Sequence, residues 1–211
     1  MYAERARSRL RQLILDGTFP AGTRLTELDA AANLAMSRTP VREALRALTA
    51  DGLVRPAGRG VVVVALDREA LREAYQVRAA LEALTAELAA ARQRAGEIAP
   101  AGFTALRAAA DAAATATAAG RLIQAMEHNR RFHQRIAELA GNALATSTLN
   151  RIWDQIQVST LDSLAPPARP THVSAQHEAL LAAIQDGRSD DAGRLARQHV
   201  VDTSTALDQE G

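Results

Sequence analysis

Ser37-Arg38-Thr39-Pro40-Val41-Arg42-Glu43-Ala44-Leu45-Arg46 is the stretch that decides the fold. Its spacing predicts a helix that turns arginines outward and locks its other side into a core. Pro40 suits a first helical turn, where a missing N–H leaves no hydrogen bond unmade. Ser37, just ahead, is placed to cap the exposed N–H groups. Val41, Ala44, Leu45 and Leu48 then recur at helical intervals as one apolar stripe. Arg38 stands at the start with Thr39 beside it, and Arg42 and Arg46 follow at four-residue steps on one polar face. An Arg-rich helix end anchored from behind is a shape the DNA major groove accepts. Arginine spacing alone describes a solvated surface helix even better, so the flanks carry the weight.

Upstream, Thr26-Glu27-Leu28-Asp29 opens a shorter apolar-periodic run through Ala30, Ala31 and Leu34, and Ala35-Met36 turns tightly into Ser37. Two helices joined so briefly read as a helix-turn-helix. Downstream, Asp51-Gly52 ends the arginine helix. Leu53-Val54-Arg55 and Val61-Val62-Val63-Val64 are β-branched runs around Pro56-Ala57-Gly58-Arg59-Gly60, which predicts a hairpin with Arg59 projecting between two glycines. That hairpin is a wing. Ahead of it all, Tyr2 to Asp16 reads as an amphipathic helix with Leu10, Leu13 and Ile14 inward, stopped by Gly17 and Pro20.

These residues resemble a known family. The order helix, Gly17…Pro20-Ala21-Gly22-Thr23-Arg24-Leu25, helix, Ser37 to Leu45, Asp51-Gly52-Leu53-Val54, Arg59-Gly60 closely resembles the GntR family of bacterial transcription regulators over about residues 5–65. The resemblance implies that Arg38 and Arg42 contact bases and phosphates in the major groove, with Thr39 and Arg46 on the same helix. It implies that Arg59 and Gly60 reach the minor groove. Two positions depart from the pattern: Ala35 stands where many relatives have Gly, and Leu28 where some place a DNA-contacting Arg.

The 211 residues allow two small domains or one large one. A net charge of +1 argues against nucleic-acid binding until the chain is divided. Residues 1–65 hold 10 Arg and 6 acids, net +4; residues 66–211 hold 15 Arg and 18 acids, net −3. A basic module followed by an acidic one fits a DNA reader fused to something else. With no Cys, disulfides and thiolate metal sites are excluded. The first fifteen residues lack the apolar core of a signal peptide, and no apolar run reaches the roughly 20 residues of a membrane span. The expectation is a cytoplasmic protein, nucleoid-associated through DNA, with no membrane partner.

From Asp67 onward the chain reads as six Ala/Leu-rich helices: about 67–94, 103–119, 121–140, 142–164, 171–185 and 190 to near the end. Gly96, Pro100, Gly120, Gly141, Pro166-Pro167, Pro170 and Gly187 punctuate them, with Asn142 and Asp190 as caps. Short connections predict an antiparallel bundle. The fold class is therefore mainly α: a winged helix-turn-helix over 1–65 and an all-α antiparallel bundle over 66–211. All five histidines fall in this half; three of them, His133, His177 and His199, sit on three different helices, and Asn129 lies one turn before His133. Asn129, His133, His177 and His199 can converge on a divalent ion, or the histidines can be ordinary core residues. His128 points about 100° away from Asn129, and His172 sits in the Pro-rich break. Arg78, on an apolar inner face, needs an anion: Glu82 one turn on, or a ligand carboxylate. Trp153 reads as core.

Residues from about 67 to 206 resemble the all-helical FCD effector domain of the FadR branch of that family. The resemblance rests on Tyr75…Arg78…Leu81-Glu82, Asn129-Arg130-Arg131-Phe132-His133, Gly141-Asn142, His177-Glu178-Ala179-Leu180 and His199. It implies a Zn²⁺, Ni²⁺ or Mn²⁺ ion held by three His and an acidic residue four before the first. Asn129 replaces that acid and brings no negative charge. Six helices rather than seven place the domain near the VanR-like subgroup.

The reading is a regulator, not an enzyme, and a repressor if it follows most relatives. It binds a two-fold operator as a homodimer and a small carboxylate-bearing metabolite at the metal, with Arg78 in the effector site. Two rivals stand beside it: a metal-dependent hydrolase tethered to DNA, and a ligand-independent DNA-binding dimer with structural histidines.

Overall fold

Apolar periodicity sets nine helices among the described residues of this computed structural model, which describes residues 1–160 and 172–208. They form two compact units, residues 1–71 with 151–160 and residues 72–150 with 172–208.

The first unit contains α1 (Tyr2–Leu15), β1 (Arg24–Thr26), α2 (Glu27–Leu34), α3 (Arg38–Ala50), β2 (Val54–Ala57) and β3 (Gly60–Val63). Leu10 and Ile14 of α1 share a core with Val41, Ala44, Leu45 and Leu48 of α3 and with Leu25, Leu53, Val54 and Val63. Each fully buried Leu, Ile or Val contributes about 1.5–3 kcal/mol. This apolar back is what holds the polar face of α3 outward.

Thr26 and Asp29 cap α2 reciprocally, the Thr26 hydroxyl accepting from the Asp29 N–H and the Asp29 carboxylate accepting from the Thr26 N–H. Ala35 ends α2 in the left-handed region, at φ 51°. Ser37 stands at the N-cap of α3, but its side chain makes no capping hydrogen bond, so that expectation is corrected.

The wing is larger than the sequence suggests. β3 is the central strand of an antiparallel sheet ordered β1-β3-β2, with Leu25 opposite Val61 and Arg55 opposite Val62. Pro56 lies within edge strand β2, where a missing donor is tolerated. Gly58 takes φ 62° at the turn. Gly60 is required for another reason: a Cβ there would collide with the Leu25 carbonyl oxygen.

Residues 151–160 are the C-terminal part of α7 (Ala143–Thr160) and belong to this unit. Val158 enters its core, Gln157 donates to the Leu15 carbonyl, and Gln155 donates to the Asp51 carbonyl. The Leu66 N–H donates to the Ser159 hydroxyl.

The second unit is built from α4 (Arg68–Arg94) beyond Leu71, α5 (Pro100–Ala118), α6 (Leu122–Leu139), the N-terminal part of α7, α8 (His172–Gln185) and α9 (Ser189–Asp208). Ala86, Ala89 and Ala90 meet Leu106, Ala110, Phe132, Ile136, Leu180, Leu181, Ile184 and Ala196 in one core. The low-complexity stretch of α5 buries Ala109, Ala110, Ala113 and Ala116, small residues that let neighbouring helices approach closely. α5 begins at Pro100, three residues before the expected Phe103, because proline is well suited to N1. Asn142 caps α7 as expected, its Oδ1 accepting from the Ala145 N–H. α9 starts at Ser189, so Asp190 lies inside the first turn and is not the cap. The last residues of the expected 142–164 helix, and the side chain of His172, lie outside the described residues.

Candidate nucleic-acid interface and candidate metal centre

The first unit sets its arginines on one face of α3. Arg38, Thr39, Arg42 and Arg46 are exposed while Val41, Ala44, Leu45 and Leu48 are buried behind them. Arg59 is exposed at the wing turn and Gly60 is half-buried at the start of β3. Leu28 is exposed at the start of α2. The sequence reading placed Glu27 at the opening of α2 but gave it no role at the interface. Its carboxylate accepts from Arg42 through Nε at 2.7 Å and Nη2 at 3.1 Å, and from Arg38 through Nη2 at 3.3 Å. No periodic signal links residue 27 to residue 42, so only the tertiary fold reveals the contact.

In the second unit the three helices carrying His133, His177 and His199 bring the imidazoles together. Ring centroids are 4.8 Å apart for His133 and His199, 4.9 Å for His177 and His199, and 5.4 Å for His133 and His177. One ring nitrogen from each lies within 4.8 Å of the others, and all three residues are buried. Phe132 packs against His177 at 4.4 Å between centroids, which places the cluster at the edge of the apolar core. Half-buried His128 is not part of the cluster.

A carboxylate and an amide orient two of the rings. Glu82 Oε2 lies 2.8 Å from His133 Nδ1, and Glu82 Oε1 accepts from Arg78 Nε at 2.7 Å. Arg78 is 1 % exposed and also lies over the Tyr75 ring. It thus takes the intrahelical partner its spacing allows. Burial works to raise the Glu82 carboxyl, but Arg78 and His133 overcome it and hold it at about 2. His199 Nδ1 lies 3.0 Å from Gln176 Oε1, and Gln176 in turn donates to Asp202 at 2.6 Å. With Nδ1 engaged in this way, Nε2 is the nitrogen each of these two rings could offer to a metal, as in the usual arrangement behind a ligating histidine. The sequence reading missed the Glu82–His133 contact and the Gln176–Asp202 relay, since both cross between helices.

The donor set fits a divalent ion. Besides the three imidazoles, Asn129 is buried one turn before His133, and its Oδ1 accepts no hydrogen bond among the described residues. A buried polar atom left in that state costs about 1–3 kcal/mol, which a metal–oxygen bond offsets.

Residues 2–64 match the family described as bacterial regulatory proteins, gntR family, and residues 73–202 match the FCD domain. The chain belongs to the GntR family. It is a DNA-binding transcription regulator, and the family's members here are regulators rather than enzymes. The chain is 30 % identical over 200 residues to the "Probable D-xylose utilization operon transcriptional repressor" of Paenarthrobacter nicotinovorans, covering 89 % of this chain and 80 % of that one. It is 27 % identical over 205 residues to the transcriptional repressor RspR of Escherichia coli K12, covering 95 % and 86 %. The solved structure of E. coli McbR/YncC shares the fold, with a TM-score of 0.83 at 20 % identity over 100 % and 99 % of the two chains. No described helix is long and apolar enough to cross a membrane.

Proposed function

We propose that this GntR-family regulator is a homodimeric repressor of the bacterial cytoplasm. It reads a two-fold operator and changes its affinity when a small organic acid binds. Residues 1–65 form the DNA-reading domain and residues 66–211 the effector and dimerisation domain. Arg38, Thr39, Arg42 and Arg46 enter the major groove, and Arg59 with Gly60 meets the adjacent minor groove. The outward arginine face of α3, anchored by four buried apolar residues, carries this reading. One module makes few contacts, so useful specificity needs two copies on related half-sites.

In the second domain Asn129, His133, His177 and His199 hold a Zn²⁺, Ni²⁺ or Mn²⁺ ion. The buried histidine cluster with its Glu82 and Gln176 supports is the observation behind this. When bound, the ion supplies positive charge for the carboxylate of an effector. Asn129 adds an oxygen donor without charge. Arg78 shares Glu82 with His133, which keeps it beside that site as a carboxylate partner. Effector releases DNA only if it binds the DNA-incompetent arrangement more tightly, by the same factor that DNA weakens effector binding. The two repressor relatives support repression over activation.

The test starts from the duplex that the wild-type chain enriches from a randomised library. Anisotropy at fixed moderate salt should show tight binding that Arg42→Ala weakens at least about tenfold, the value of one good base contact. Adding a panel of small carboxylic acids to metal-loaded protein should lower affinity for at least one. Operator binding indifferent to every acid, with metal loaded, would favour the ligand-independent dimer.

A further inference from the structure

Glu27 sits at the first position of α2, and its carboxylate meets both leading arginines of α3. Arg42 donates twice to it and Arg38 once. We infer that Glu27 is a positioning residue for DNA reading: it orders the guanidinium groups of Arg38 and Arg42 before the duplex arrives, and its negative charge lowers affinity for other sequences. The inference rests on α3 being the groove-reading helix.

The donor count allows both jobs at once. A guanidinium carries five N–H groups, and Arg42 uses only one on Nε and one on Nη2 for Glu27. Its Nη1–Nη2 edge stays available, an edge that can meet guanine O6 and N7 together. Arg38 uses one N–H and keeps four. Long arginine side chains otherwise lose much rotamer freedom when they dock. Glu27 takes part of that loss during folding, so less is charged to binding. Glutamate is ionised at neutral pH, and the hydrogen bond from Arg42 holds the Glu27 carboxyl below even its usual range.

Exposed ion pairs add little to stability, so a purely structural Glu27 would leave sequence preference untouched. Near phosphates, by contrast, one fixed negative charge opposes every duplex alike. Correct bases repay that opposition through the ordered arginines, and incorrect ones do not. The consequence is a role in the ratio of affinities rather than in either affinity alone.

The experiment compares wild type, Glu27→Gln and Arg42→Ala, full chain, on the duplex that the wild type enriches and on the unselected randomised library. Glu27→Gln should lower the ratio of the two affinities at least about tenfold, with library affinity equal to wild type or higher. The Arg42 Nε–H signal in ¹⁵N spectra should be sharp and dispersed in wild type and move to the free-arginine position in Glu27→Gln. A parallel loss on both duplexes, or an unchanged ratio while Arg42→Ala lowers it, overturns the positioning role alone. An unchanged ratio in Arg42→Ala removes the recognition-helix assignment and this inference with it.

Discussion

Arg11 of α1 and Asp154 of α7 form a two-point ion pair, Nε to Oδ2 and Nη2 to Oδ1, across 143 residues of sequence. Asp154 is buried while Arg11 is about one-third exposed, so the two halves of the pair are not equivalent. Removing the cation takes charge compensation from a buried carboxylate; removing the carboxylate leaves an arginine that can turn to water. Arg11→Ala should therefore cost about 2–3 kcal/mol and Asp154→Asn about 1 kcal/mol less. Trp153, the single tryptophan, is the neighbouring residue and gives the fluorescence signal for urea unfolding of this unit. Equal losses in the two variants would show that burial of Asp154 does not set the asymmetry.

Ala35 closes α2 with φ 51° and ψ 45°, and the Met36 N–H returns to the Ala31 carbonyl. This is a Schellman-type ending whose left-handed position is normally glycine. A side chain there costs about 1–2 kcal/mol, partly balanced by the extra chain entropy glycine loses. Ala35→Gly should raise the stability of the first unit by about 0.5–1 kcal/mol, and Ala35→Val should lower it by more than about 1 kcal/mol. Urea midpoints followed at Trp153 give the comparison. A destabilised Ala35→Gly would mean the turn is unstrained.

Glu82 gives the second unit a sensitivity to acid. Its folded carboxyl is held below the ordinary range by Arg78 and His133 against the opposing effect of burial. A lowered folded value contributes stability that is complete above the unfolded value near 4.5 and is lost as pH falls toward 2. The thermal stability of the helical unit should weaken between about pH 5 and about pH 2 in wild type. Glu82→Gln should be less stable near neutrality and flatter across that window. A variant with the wild-type acid limb would place the responsible carboxylate elsewhere.

Much of the architecture was legible because its punctuation is local. Gly and Pro separate the six later helices from one another, and the apolar stripes of α1 and α3 identify the buried faces without any structure. The histidines were legible as candidates because His133, His177 and His199 each sit on a helix, though only folding shows that they meet. β1 escaped notice since three residues carry too little alternation to register, and its pairing depends on Gly60. Glu27, the Glu82–His133 contact and the Arg11–Asp154 pair escaped for one shared reason. Each joins side chains on different helices, and a period read along the chain contains nothing about partners across it.

The metal reading predicts opposite effects on empty and loaded protein. Chain purified without affinity tag or chelator should carry about one divalent ion, and His133→Ala little. Ion at a hundred times its dissociation constant should add about 2.7 kcal/mol to unfolding stability. Asn129→Asp adds a negative charge to a buried site, so its metal-free form should melt below wild type. With Zn²⁺, Ni²⁺ or Mn²⁺ the same variant should retain the ion at least about tenfold longer and recover the loss. Retention unchanged by Asn129→Asp, measured by competition with a chelator, would remove residue 129 from the donor set.

The dimer reading is tested on α4, which carries two apolar seams. One side buries Tyr75, Ala79, Ala83, Ala86 and Ala90 in the second unit. The other presents Val77, Leu81, Leu84 and Leu88 at alternating four- and three-residue steps, with Val77 48 % and Leu84 38 % exposed. Such a heptad seam suits a second helix of the same kind, and a two-fold operator calls for a second copy of the chain. Leu81→Glu with Leu84→Glu should convert the dimer to monomer in light scattering after size exclusion. Far-UV circular dichroism should stay unchanged, because neither side chain belongs to the buried seam. Affinity for the selected two-fold duplex should fall more than about tenfold, while a half-site duplex loses little. A dimer that survives both charges would place the interface on another face of the bundle.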